Sequence, residues 1–249
     1  MHPILFEIGP VTIRSYGVFA AAGFFTAFSL LYSEAKRKNF YPQKILDLEL
    51  IILVFGLLGA RALHVLVNLD FYAKNIPDIF LIWRGGLAFT GGFILAIPAC
   101  LVFTAKNRLP FWKIADFVAP YMVLGHAIGR IGCFLNGCCF GKPAAWPFLG
   151  VLFPGDALYR YPTQIYASFA LLCIFVVLKL AGERPHAAGA VFALYLALYS
   201  GQRFFLDFLR GDNPTYAFDL TVSQFISAAI FAVAVLLLFF RRKYGRDTG

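Results

Sequence analysis

Three arginines interrupt apolar stretches of this chain. Arg61 lies in Leu57-Leu58-Gly59-Ala60-Arg61-Ala62-Leu63, Arg130 closes Gly125-His126-Ala127-Ile128-Gly129-Arg130, and Arg203 follows Tyr199-Ser200-Gly201-Gln202. A central arginine costs at least about 2.5 kcal/mol on membrane-insertion scales, so each needs a reason. Asp207 follows Arg203 by four residues, which puts both on one helix face, where an ion pair makes each tolerable. Snorkelling suits Arg130 near a span end and is difficult for Arg61 at mid-span. An arginine fork meets a phosphate through planar, charge-assisted, bidentate hydrogen bonds. Three arginines on separate helices therefore suit the head of an anionic phospholipid.

The five cysteines divide into two groups. Cys100 and Cys173 lie in apolar spans, where cysteine behaves as a small hydrophobe. Cys133, Cys138 and Cys139 share one loop. Their four-residue gap and adjacent pair, with no CxxC and no neighbouring histidine, are not a zinc spacing, so no metal is expected. In an oxidising compartment Cys133 can bridge to Cys138 or Cys139.

The elements that must position these groups follow from composition. Of 249 residues 60% are hydrophobic and 14% charged, and the mean hydropathy is +0.74. A soluble domain carries about 25% charged residues, so this chain cannot coat a water-facing surface. Apolar runs near 15–33, 49–68, 87–105, 112–130, 163–181, 188–209 and 221–240 predict an all-α, polytopic bundle of about seven transmembrane helices. The start of the chain lacks a basic segment followed by a cleavable apolar one, so the first helix is expected to serve as its own insertion signal.

Loop charges predict the orientation. Lys36, Arg37, Lys38, Lys44, Lys106, Arg108, Lys113, Lys179, Arg184, Arg241, Arg242, Lys243 and Arg246 fall on one side. The other side has only Arg14, Lys74, Arg84, Arg130, Lys142, Arg160 and Arg210. The N-terminus is thus expected outside and the C-terminus in the cytoplasm. The net charge of +9 is explained by anionic lipid and not by nucleic acid. Residues 69–86 and 131–162 form the long outer loops and are expected to shape a site within one transmembrane catalytic domain, 1–249. Glycines cluster there: Gly85-Gly86, Gly91-Gly92, Gly129, Gly132, Gly137 and Gly141. The stretch Gly129–Gly141 reads as too glycine-rich for an uninterrupted helix. No internal repeat points to a transporter built from two halves.

Gly129-Arg130-Ile131-Gly132-Cys133-Phe134-Leu135-Asn136-Gly137-Cys138-Cys139-Phe140-Gly141 resembles the signature of the prolipoprotein diacylglyceryl transferases. Other segments agree in the family's order: Ile8-Gly9-Pro10 with Arg14-Ser15-Tyr16-Gly17; Gly59-Ala60-Arg61; Gly85 to Gly92; Asp116 to Pro120; Leu152-Phe153-Pro154; Pro162-Thr163-Gln164-Ile165-Tyr166; and Tyr199 to Arg203 with Asp207, Phe208 and Arg210. The resemblance implies a multi-pass enzyme of the bacterial inner membrane with its active site toward the periplasm. It implies phosphatidylglycerol as donor, the lipobox cysteine of a prelipoprotein signal peptide as acceptor, a thioether and glycerol phosphate as products, and no cofactor. By position, Arg130 would bind the lipid phosphate and Arg203 the departing glycerol phosphate. Tyr16, Tyr199, Asn136 and Gly141 match site positions, and Asp207 stands where the family usually has glutamate.

The chain departs from the better-known members at Thr90, where histidine is frequent. It has Cys133 for asparagine, Cys138 for glutamate, and Tyr161 and Ala167 in place of histidine and glutamate. Threonine is no general base near neutral pH, so thiol activation falls to His126, one turn before Arg130, or to a thiolate stabilised by arginine alone. The competing reading is a transporter or flippase for an anionic lipid, which predicts polar residues through both leaflets. Here they gather toward the outer half, Arg61 excepted.

Overall fold

The computed structural model describes residues 1–8, 11–81, 85–211, 214 and 216–244. Gly9, Pro10, Arg84 and Arg246 lie outside these. A two-stranded sheet of β1 (Ile4–Ile8) and β2 (Val11–Arg14) leads into α1 (Ser15–Arg37). There follow α2 (Pro42–Val67), the single turn α3 (Leu69–Tyr72), α4 (Phe89–Lys106) and α5 (Phe111–Asn136). Strands β3 (Val151–Leu152) and β4 (Tyr159–Arg160) pair antiparallel, and α6 (Thr163–Gly182), α7 (Ala190–Asp207) and α8 (Val222–Tyr244) complete the order. The protein is an all-α membrane protein by its helices. α1, α2, α5, α6 and α8 are each long and apolar enough to cross a bilayer. Large apolar side chains such as Ile94, Phe169 and Phe239 stand exposed, as lipid-facing residues do.

The expected spans map onto helices with shifted ends. The second begins earlier than expected because Pro42 occupies a first-turn position, where its missing N–H costs nothing. The fourth continues past Arg130 to Asn136, so the glycine-rich stretch is helical as far as Asn136 and the outer loop starts at Gly137. The reason is packing. A Cβ at Gly132 would lie 2.7 Å from the Cβ of Phe19, so α5 uses this glycine to sit against α1. Gly23 and Gly125 make a second close approach between the same helices, a Cβ on Gly23 reaching within 2.6 Å of the Gly125 carbonyl.

The chain forms two compact units. One comprises Glu7–Thr12 and Phe28–Phe111. In it α2 and α4 meet backbone to backbone, since a Cβ on Gly59 would lie 2.3 Å from the Gly91 carbonyl and the converse holds for Gly91. The Ala88 N–H bonds the Ala60 carbonyl at 2.9 Å, fastening the entry to α4.

The other unit comprises Met1–Phe6, Ile13–Ala27 and the chain from Trp112 onward. Its core packs Val123 and Ala127 of α5 with Leu171, Ile174 and Leu178 of α6 and Val191 of α7. The Ser168 hydroxyl donates to the Ala127 carbonyl at 2.9 Å, joining α6 to α5. The Asp116 carboxylate on α5 accepts from the backbone N–H of Gly189 at 2.6 Å and of Phe192 at 2.7 Å, capping the start of α7. Gly189 has φ +89°, and a Cβ there would lie 2.8 Å from the Trp112 ring, so only glycine serves. At the start of α8, Thr221-Val222-Ser223-Gln224 forms a capping box: the Gln224 N–H donates to the Thr221 hydroxyl, and the Thr221 N–H to the Gln224 amide oxygen.

Asp116→Ala removes two charge-assisted bonds that hold α7 against α5, a loss of about 2–3 kcal/mol. The thermal midpoint of the detergent-solubilised protein falls by roughly 5–10 °C. Asp116→Asn, which keeps an acceptor oxygen, loses less. An unchanged midpoint for the alanine variant would remove the cap from its place in the fold.

Candidate active site

Two helices and the residues just beyond them bring charged groups together at one end of the second unit described above. α5 presents His126 and Arg130 one turn apart; α7 presents Tyr199, Gln202 and Arg203; Arg210 follows the end of α7. These line a cleft together with Cys139 and with Thr163 and Gln164 from the first turn of α6.

Asp207 organises the cations. Its side chain is fully buried, and one oxygen lies 3.2 Å from an Arg203 terminal nitrogen and 3.8 Å from the Arg210 Nε. The other accepts the Thr221 hydroxyl hydrogen bond. Arg203 also donates through Nε to the Ser223 hydroxyl at 3.0 Å. Arg130 donates through Nε to His126 Nε2 at 3.1 Å, which puts the histidine proton on Nδ1. Among the described residues no carboxylate pairs with Arg130, and its terminal nitrogens have no protein partner. Three guanidinium groups thus line the cleft, with Asp207 behind two of them, and among the described residues no carboxylate lines it, so the positive lining suits an anion. The His126 ring also stacks at a tilt on Tyr199, with centroids 5.5 Å apart.

The loop after α5 is bent sharply. Gly137 has φ +72° and Cys139 φ +64°, the latter uncommon for a residue with a Cβ. Gln164 Nε2 donates to the Cys138 carbonyl at 2.6 Å and the Thr163 hydroxyl to the Cys139 carbonyl at 2.7 Å. The Cys133, Cys138 and Cys139 sulfurs all lie within 4.8 Å of one another as free thiols, so no bridge joins Cys133 to either neighbour. Hydrogen bonding with the Cys133 and Cys138 thiols holds the Cys139 thiol well below the usual thiol range, with Arg210 and Arg130 acting in the same direction against burial. Asn136 lies close to the Cys138 side chain, and Tyr16 lies within electrostatic reach of Arg130 and all three cysteines.

Gly141 marks a backbone crossing. Its N–H bonds the Tyr161 carbonyl at 2.9 Å, and a Cβ would lie 2.6 Å from the Leu209 carbonyl. Arg160 pairs with Asp156 and lies 5.1 Å over the Phe140 ring, tying the β3–β4 hairpin to this loop.

Arg61 belongs to the other unit and has different surroundings. Its Nε donates to the Ile79 carbonyl, one terminal nitrogen to the Gly85 and Gly86 carbonyls, all at 2.8 Å, and the other to the Asp78 carbonyl. Its plane lies 5.2 Å over the Tyr72 ring. Thr90 lies in that unit also, in the first turn of α4.

Sequence reading singled out Arg130, Arg203, Asp207, Tyr199 and His126, and the structure gathers them. It did not single out Arg210, Thr163 or Gln164 as site residues. Arg210 was detectable as a cation three residues beyond Asp207; Gln164 carried no local signal. Gln164 is 1% exposed and its Oε1 has no partner among the described residues. Such a buried acceptor beside a polar cleft calls for a donor on a bound molecule. The arrangement can bind a phosphate and stabilise charge that develops on it.

The family model of prolipoprotein diacylglyceryl transferase matches residues 3–240. A protein of Bacillus velezensis named phosphatidylglycerol–prolipoprotein diacylglyceryl transferase is 32% identical over 254 residues, covering 98% of this chain and 94% of the relative. Proteins of the same name from Nostoc and Trichormus variabilis are 37% and 38% identical over 238 residues, covering 90% of this chain and 84% of each relative.

Asp207→Ala leaves Arg203 and Arg210 without their shared carboxylate in a buried place, a loss of about 3–5 kcal/mol. The variant denatures at a markedly lower temperature in detergent, and Asp207→Glu recovers most of the difference. Equal midpoints for the alanine variant and wild type would show that Asp207 does not support the cations.

Proposed function

This chain belongs to the prolipoprotein diacylglyceryl transferase family, and from that premise we infer the roles of its residues. The protein is a transferase that moves the diacylglyceryl group of phosphatidylglycerol to the lipobox cysteine thiol of prelipoproteins. It forms a thioether and releases glycerol phosphate, the first step of lipoprotein maturation. The observation that carries the assignment of roles is the cleft lined by Arg130, Arg203 and Arg210, of which Arg203 and Arg210 pair with the buried Asp207 while Arg130 leans on His126.

The donor's phosphodiester is the anion that this positively lined cleft suits. Arg130 binds the phosphate through its terminal nitrogens, while His126 accepts from Nε and fixes the plane of the fork. As the acceptor sulfur bonds to the glyceryl carbon, the bond from that carbon to the phosphate ester oxygen breaks and its electron pair stays on the oxygen. The phosphate gains negative charge, which Arg203 and Arg210 stabilise more strongly than they do the diester. The thiol proton leaves to water or to the released phosphate. Tyr199 and Tyr16 wall the reacting centre, Asn136 stands beside Cys138, and Gly141 lets three backbone segments meet beneath it. Arg61 stands outside the ligand set in this reading: its N–H groups already serve four loop carbonyls, so it positions Asp78, Ile79, Gly85 and Gly86.

We place the protein in the bacterial inner membrane with seven spans, the N-terminus in the periplasm and the C-terminus in the cytoplasm. The excess of loop lysines and arginines on one side supports this. The whole chain, 1–249, acts as one catalytic domain with the cleft toward the periplasm, where exported prelipoproteins arrive. Transport of an anionic lipid is the less favoured reading.

In phosphatidylglycerol vesicles the purified protein lipidates a lipobox peptide. Arg130→Ala and Arg203→Ala each lower that rate by at least about 10²-fold and fail to rescue a strain lacking the transferase. Rescue by both would remove the arginines from the mechanism. His126→Gln, whose amide oxygen can still accept from Arg130, stays within about threefold of wild type in kcat. A general base would cost about 10²–10⁴ on the same substitution, so a loss of that size would make His126 the base.

A further inference from the structure

Three thiols that meet beside an anion cleft are an unusual feature in a pocket whose reaction needs a thiolate. We propose that Cys133, Cys138 and Cys139 form a trithiolate site for zinc, whose fourth position faces the arginine cleft and takes the acceptor thiol. The identity of that fourth ligand rests on the transferase reading; the metal site itself does not.

The geometry is that of a built ligand set. Side chains of adjacent residues normally diverge, yet Cys138 and Cys139 both turn back toward Cys133 on the last turn of α5. The left-handed conformations of Gly137 and Cys139 make this possible, and the Gln164 and Thr163 bonds to the Cys138 and Cys139 carbonyls hold it. Zinc–sulfur bonds of about 2.3 Å place tetrahedral sulfurs about 3.8 Å apart. The observed sulfurs, within 4.8 Å of one another, need only small rotations to reach that spacing.

The ligand type selects the cation. A set made only of thiolates favours a soft or borderline ion, zinc or copper(I), over magnesium or calcium. Three protein ligands with one open position are the pattern of a catalytic zinc, whereas structural sites close all four. Three thiolates around zinc(II) carry a net single negative charge. Arg130 and Arg210, which stand within electrostatic reach of Cys139, compensate it.

The chemistry fits the gap left at Thr90. Among the described residues lining the cleft, the one imidazole has its Nε2 engaged by Arg130, and no carboxylate is free of the arginines to act as base. A thiol that coordinates zinc is deprotonated outright. The acceptor displaces a zinc-bound hydroxide and its proton converts that hydroxide to water. The bound sulfur then attacks the glyceryl carbon; the C–S bond forms, the C–O bond breaks, and its electron pair goes to the phosphate oxygen. The resulting thioether is a far weaker ligand than a thiolate, so the product leaves and water returns. Nothing is oxidised or reduced. Cys139 lines the same cleft as Arg130 and Arg203, so the nucleophile and the phosphate it displaces can meet there.

The test uses the full chain purified in detergent from zinc-replete cells. Elemental analysis is expected to find about one zinc per chain, falling to below about a tenth in Cys133→Ser, Cys138→Ser or Cys139→Ser and unchanged in Cys173→Ser. Cobalt(II) added to chelator-treated wild type gives sulfur-to-cobalt charge-transfer absorption, which reports the site without any variant that must fold. Chelation lowers peptide lipidation by at least about tenfold, and zinc restores it. Wild type with reduced thiols but neither zinc nor the cobalt absorption overturns the proposal, as does a disulfide between two of the three cysteines in non-reduced protein. Full lipidation by zinc-free enzyme overturns the activating role. Zinc held by all three thiols in a protein that never lipidates the peptide supports the metal site and refutes the transferase reading instead.

Discussion

Asp207, shielded from solvent, lies between the guanidinium groups of Arg203 and Arg210 and accepts the Thr221 hydroxyl on its other side. Burying a guanidinium is costly, and one carboxylate shared by two of them lowers that cost without cancelling their charge. Arg130 adds a third cation whose Nε is anchored on a neutral histidine. The carboxylate lets two buried cations stay, and among the described residues the terminal nitrogens of Arg130 remain open to an anion. On the proposed reading the donor's phosphodiester reduces the surplus of positive charge in the cleft, and the phosphate monoester formed from it carries still more of the charge the cleft favours. Binding and catalysis thus draw on the same imbalance.

That imbalance is useful only if the helices carrying it cannot slide. α5 carries Arg130 and α7 carries Arg203, and the Asp116 cap ties the start of α7 to α5 near their far ends. The capping box at Thr221 fixes the start of α8 where Thr221 also meets Asp207, so one residue both ends a helix and supports the site. Glycine contacts between α1 and α5 bring Tyr16 against Gly132. In the other unit Arg61 meets the cost of burial differently, by satisfying backbone carbonyls that a loop near a membrane would otherwise leave unpaired. Two arginines with similar apolar flanks in sequence therefore do different work.

The cysteine loop extends the same logic to the nucleophile. Its strained residues and clasped carbonyls place soft donors beside hard cations, which is a sensible arrangement if a sulfur is to be delivered against a phosphate ester. Gln164 connects the two halves: its amide nitrogen holds the Cys138 carbonyl, and its buried oxygen stands beside the cleft with a lone pair to offer. The glycerol hydroxyls of the donor head are of the right chemistry to meet it.

Composition alone settled that the chain lives in a membrane, because 14% charged residues cannot coat a water-facing surface. The ordered motifs around Arg130 settled the family, and the spacing of Arg203 and Asp207 foretold their ion pair, because partners four residues apart on a helix are local. What the sequence left undetermined is non-local. Arg61 and the Gly85 carbonyl are 24 residues apart, Gln164 and the Cys138 carbonyl 26, and Asp116 and the Gly189 N–H 73. The helix also runs on through Gly129 and Gly132, against local glycine propensity, because a neighbouring helix needs the space a side chain would take. Residue type says which polar groups demand a partner, but only the folded chain decides which partner is within reach.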